Sequence, residues 1–128
     1  MPSILIIDDD PTILLLFKYV FSDNGFEVYT AGNGQEALEK ISEGAPDFML
    51  VDIAMPVMNG AEFIEKVEKL SAGKPQLKKI PFIVMTGENF MESGINLVFQ
   101  KSPGFRAFVP KMTQPEQVLA MVNEILKK

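Results

Sequence analysis

The chain has no cysteine and no histidine. Without cysteine there are no disulfides, thiol nucleophiles or thiolate metal sites, and without histidine there is no imidazole base or ligand. Any metal must therefore be held by oxygen. Basic residues are also scarce in the form that phosphate backbones require: the net charge is −5 and Arg106 is the single arginine, so direct nucleic-acid contact is not expected. Long apolar runs are missing as well. The first run, Ile4 to Ile7, is too short for a signal peptide or a membrane span, which argues against membrane insertion and makes a cytoplasmic location the default. No repeat, low-complexity tract or evident linker occurs, and the nine glycines and nine prolines punctuate apolar runs instead. With 128 residues, 47% of them hydrophobic, the expectation is one domain over residues 1–128 around a well-filled core.

What is present is a recurring pattern of short apolar runs that end in a polar group. Ile4–Ile7 leads into Asp8, Asp9 and Asp10, Phe48–Val51 into Asp52, and Phe82–Met85 into Thr86. Each reads as a strand buried on both faces, and a carboxylate at the end of such a strand is costly unless something pairs with it. Asp10 has a structural task, because Asp before Pro11 is the N-cap and N1 pairing of a helix start. Asp8 and Asp9 have none. The helix that follows runs through Phe17 and Phe21 toward Gly25, with only Thr12, Lys18 and Ser22 interrupting its apolar residues. So apolar a helix is either buried on most sides or offers a docking patch, and burial is the default.

Glu27 to Ala31 alternates as an edge strand does, and Asn33 with Glu36 forms the capping-box start of a second helix closed by Gly44 and Pro46. Asn59 with Glu62 starts a third helix, whose Phe63, Ile64, Val67 and Leu70 share one face. A fourth helix spans about Asn89 to Phe99, interrupted by Ser93 and Gly94. Ala107 to Lys111 is the last strand, confined to a sheet edge by Pro110. Thr113 and Glu116 box the final helix, with Val118, Leu119, Val122, Ile125 and Leu126 on its apolar face.

Strands alternating with helices call for an α/β fold: a three-layer, doubly wound (βα)5 architecture of the flavodoxin-like kind, its parallel five-stranded sheet in the order 2-1-3-4-5. The site of such a fold lies beyond the carboxyl ends of strands 1 and 3, which gathers Asp8, Asp9, Asp52, Thr86 and Lys111 around one pocket. Three close carboxylates repel one another unless a cation sits between them, and oxygen ligands in this number suit Mg²⁺. An Asp can itself be the nucleophile toward a phosphoryl group, with a Lys ammonium and a hydroxyl neutralising the transferred group. Asp52, Lys111 and Thr86 supply those parts.

These residues resemble the receiver domains of two-component response regulators over essentially the whole chain. The matching elements are the acidic pair in ILIIDDDP, the acceptor in LVDIAMPVMNG, Thr86 after IVM, and Lys111 at the end of the last strand. The resemblance implies a phosphorylation-dependent signalling switch, not an enzyme beyond its own phosphotransfer and dephosphorylation. It implies that Asp52 is the phosphoacceptor, served by a histidine kinase or histidine phosphotransfer protein. Asp8, Asp9, Asp52 and the Ala54 carbonyl would hold Mg²⁺, Thr86 and Lys111 would act on the phosphoryl group, and Phe108 would turn inward as Thr86 moves. Ordinary edge packing is the alternative role for Phe108. Since the chain has no histidine, the donor must act in trans. With no output domain expected in residues 1–128, the signal would leave through a changed surface on the fourth helix, last strand and last helix toward a protein target. Phosphorylation-driven homodimerisation through that face is a common family behaviour.

Three departures stand out. Members of the family usually have a cis proline directly after the lysine, whereas here Met112 follows and Pro110 precedes it. A cis bond before a residue other than proline costs roughly 2.5–4 kcal/mol, so a trans bond and a somewhat different Lys111 placement are expected. Residues 88–106 look longer and more broken than usual, and Ala54 and Glu88 leave the water near the acceptor undetermined. Two rival readings remain. One is a receiver-like protein-binding module that is never phosphorylated. The other is a phosphatase resembling the haloacid dehalogenases, with Asp8 as nucleophile, Asp10 as acid/base and Thr12 completing DxDxT, although a further acidic pair after the lysine is missing.

Overall fold

The apolar runs become strands of one parallel sheet: β1 (Ser3–Ile7), β2 (Glu27–Ala31), β3 (Phe48–Asp52), β4 (Phe82–Thr86) and β5 (Phe105–Pro110), in the order β2-β1-β3-β4-β5. The computed structural model describes residues 2–52, 60–70, 72–73, 77, 79–86, 99–111 and 113–127. Within these lie helices α1 (Pro11–Asp23), α2 (Gly34–Glu43), α3 (Gly60–Leu70) and α4 (Pro115–Leu126). The predicted cap at Asn59 and all but the last residue of the helix expected over 89–99 fall outside the described residues. Every residue of β3 and β4 is buried, which is why these strands read as unbroken apolar runs. Ala37 and Ile41 of α2 and Phe63 and Val67 of α3 cover one face of the sheet, while Phe17 and Phe21 of α1 and Val118 and Val122 of α4 cover the other. This is the expected three-layer arrangement. Among the described residues no helix is long and apolar enough to cross a membrane.

The local signals work unevenly. Asp10 caps α1 as expected, its Oδ1 accepting from Thr12 N at 2.9 Å ahead of Pro11. Asn33 Oδ1 accepts from Glu36 N at 2.9 Å, but the returning Glu36 carboxylate takes Gly32 N at 2.8 Å, one residue before the cap. At α4 the expected Thr113 box does not form. Gln114 is the N-cap, makes no side-chain bond, and Pro115 follows it in the first turn, whose missing N–H leaves less to cap. Leu70 is 45% exposed, so the apolar face of α3 ends at Val67.

Two corrections matter more. The expectation that α1 is buried on most sides fails: only Phe17 and Phe21 are fully buried, while Leu15, Leu16 and Tyr19 are 63%, 51% and 69% exposed. The sheet offers one contact stripe to the helix, and α1 carries apolar residues outside it. The last strand begins at Phe105 rather than Ala107 and ends at Pro110. Phe82 pairs with Phe105 and Ile83 with Ala107, so Arg106 is the extra residue of a bulge. The bulge puts Phe105 and Phe108 on the same face, with ring centroids 4.7 Å apart, and hides the two-residue alternation in the sequence.

Candidate functional site

The strand ends converge as the topology requires. Asp8 directly follows β1 and Asp52 ends the adjacent β3, so a parallel register that pairs Ile7 with Val51 sets both carboxylates at one mouth. Asp8 and Asp52 are 0% and 1% exposed, whereas Asp9 lies on the surface. Carboxylate oxygens of Asp8, Asp9 and Asp52 all lie within 4.8 Å of one another. Lys111 reaches in from the end of β5: its Nζ is 2.9 Å from Asp52 Oδ2 and 3.4 Å from Asp8 Oδ1. Its ammonium therefore lies between the two buried acids. The Lys111–Met112 bond itself lies outside the described residues, as do Ala54 and Glu88.

Electrostatics follow from that geometry. Burial, joined by repulsion from Asp52, raises the Asp8 carboxyl from 3.8 to about 6 against the lowering effects of the Asp10 N–H and Lys111. Burial pulls the Lys111 ammonium down, but hydrogen bonds and charge from Asp52 and Asp8 outweigh it and hold its pKa above the usual value. Asp8 Oδ1 accepts from Asp10 N at 2.9 Å, while buried Asp8 Oδ2 has no hydrogen-bond partner among the described residues. A buried carboxylate that has one oxygen without a donor and clusters with two further carboxylates is a fitting ligand for a hard divalent cation.

Thr86 ends β4, is 7% exposed, and its hydroxyl donates to Val109 O at a long 3.5 Å. Phe108 sits in the same edge, half-buried, with its ring against Phe99 at 6.0 Å and Phe105 at 4.7 Å. Asp10, which the dehalogenase-like reading needs as acid/base, instead caps α1 and does not join the acidic cluster. Sequence reasoning missed two backbone groups: Val109 O, which holds the Thr86 hydroxyl, and Thr86 O, which accepts from Lys111 N at 2.8 Å. Backbone roles of this kind leave no residue-type signal. The exposed stripe on α1 did have one, the near absence of polar residues from Pro11 to Phe21.

A parallel sheet with three carboxylates at the switch point and a lysine from the last strand is the arrangement of a receiver, a signalling module, and the chain belongs to the response regulator receiver domain family, whose sequence model matches residues 4–123. It is similar to the chemotaxis protein CheY of Thermotoga maritima, 32% identical over 125 residues that span 97% of each chain. The CheY of Bacillus subtilis is likewise 32% identical, over 96% of each. Among solved structures, a chemotaxis response regulator of Vibrio cholerae superposes with a TM-score of 0.83 at 30% identity, covering 98% of both chains. Other relatives are longer: 98% of this chain spans 49% of the alkaline phosphatase synthesis transcriptional regulatory protein PhoP of Bacillus subtilis, at 27% identity.

Proposed function

We propose that Asp52 accepts a phosphoryl group from a phosphohistidine on a partner kinase or phosphotransfer protein, and that the phosphorylated chain regulates a protein target. In the transfer an Asp52 carboxylate oxygen attacks phosphorus, a P–O bond forms as the donor's P–N bond breaks, and the departing imidazole nitrogen keeps the electron pair and takes up a proton. The donor histidine lies outside these 128 residues, which contain none. Lys111, already 2.9 Å from Asp52, neutralises a phosphoryl oxygen once the group arrives. The long Thr86 bond to Val109 O is easily exchanged for one to a phosphoryl oxygen, and that exchange pulls on β5 beside Phe108. Asp8, Asp9 and Asp52, with the Ala54 carbonyl, would hold Mg²⁺, which when bound supplies charge neutralisation for the transferring oxygens. The changed surface would comprise residues 89–99, β5 and α4.

The observation that carries this reading is the Lys111 ammonium set between two buried strand-end carboxylates. Intact mass after incubation with acetyl phosphate and Mg²⁺ tests it: the wild type gains one phosphate and Asp52→Asn gains none. A wild-type chain that takes no phosphate, from that donor or from a cognate kinase, would sink the proposal.

A further inference from the structure

Lys111 reaches its carboxylates from an unusual stretch of backbone. In the β4–β5 ladder Pro110 stands opposite Thr86, and in a parallel pairing the bonds to Thr86 come from the residues that flank its partner. Lys111 N–H accordingly donates to Thr86 O at 2.8 Å. The N–H that Pro110 lacks would have faced the free edge of the sheet, where its absence leaves no acceptor unmet. The proline ring fixes φ near about −65° immediately before Lys111. The Pro110 carbonyl accepts from Thr113 N at 2.9 Å, which closes a turn around the lysine. Lys111 is thus held through its own N–H, by a locked residue before it and by a turn bond across it.

We infer that Pro110 is the positioning residue for Lys111, restricting the backbone from the preceding position so that the ammonium stays between Asp52 and Asp8. Pro110 is exposed, so its influence on the site runs through the backbone that carries the lysine. The consequence for phosphotransfer rests on the phosphoacceptor reading above; the consequence for the cation does not. The ammonium and a divalent cation compete for the same carboxylates, so a loosened lysine binds them less and leaves them to the cation.

The test compares wild type, Pro110→Ala and Lys111→Ala by Mg²⁺ titration calorimetry and by the initial rate of labelling with acetyl phosphate. Pro110→Ala is expected to tighten Mg²⁺ binding and to slow labelling, each roughly threefold, in keeping with the loss of one proline's backbone restriction. Lys111→Ala should move both quantities further in the same directions. A general loosening of the fold would instead weaken Mg²⁺ binding while slowing labelling. Unchanged or weaker Mg²⁺ binding in Pro110→Ala overturns the inference, as does labelling at the wild-type rate. If the wild type is not labelled at all, the phosphoacceptor reading fails, and the Mg²⁺ titration still decides the role of Pro110.

Discussion

The two halves of the pocket mouth are built differently. The β1–β3 half is preset: Asp8 and Asp52 sit at the ends of strands whose neighbours pair on both sides, and both are almost fully buried. The β4–β5 half is softer at its side chains, although Pro110 and two backbone bonds hold the Lys111 main chain: the Thr86 hydroxyl has a long 3.5 Å bond to the bulged edge strand, and the lysine keeps 28% of its side-chain exposure. The rigid half creates an electrostatic problem and the softer half relieves it. A pocket arranged this way can change state by moving its relieving half, while the acids that bind stay where they are.

Stability measurements on the metal-free protein can break or sharpen this contrast. Removing the ammonium with Lys111→Ala should have the largest effect, a loss of about 2 kcal/mol in urea unfolding. That is less than the roughly 3–5 kcal/mol of a fully buried pair, because Lys111 is partly exposed. Added Mg²⁺ should restore much of it, and a loss below about 0.5 kcal/mol would show that the softer half relieves nothing.

Asp8→Asn should act in the opposite direction. Its folded pKa of about 6 lies above the unfolded 3.8, so the folded chain takes up this proton first. The carboxylate therefore destabilises the fold fully above about pH 6, and that penalty fades as pH falls toward 4. The variant should melt about 5 °C higher at pH 7 and lack the gain expected of the wild type on acidification; equal melting at pH 7 would refute the burial penalty. Thr86→Ala should be the mildest, within about 1 kcal/mol, because its hydroxyl bond is long, and a larger loss would mean that the β4–β5 half is not soft.

How much of this could be read from the residues depended on burial. Strands ending at Asp8, Asp52 and Thr86 are apolar because both faces are covered, so their ends, and with them the acids and the hydroxyl, were visible at once. The edges were harder. At β5 the bulge at Arg106 moved Phe105 and Phe108 onto one face and concealed where the strand begins. Lys111 could be recognised, but its reach could not, because the bond to Thr86 O and the turn to Thr113 N are backbone matters that side-chain identity does not announce. On α1, composition showed an excess of apolar residues without saying that Leu15, Leu16 and Tyr19 would be the ones left outside.

Gly104 lies at the other end of the β4–β5 edge. A Cβ there would come within 2.1 Å of Ile80 O, and the glycine's own carbonyl accepts from Phe82 N at 2.9 Å just before the bulge. Even an alanine would wedge the two strands apart at their amino ends. The edge that bears Thr86 and Lys111 is therefore pinned like a hinge leaf at its far end, and position 104 is closed to mutational drift although it touches none of the groups at the mouth.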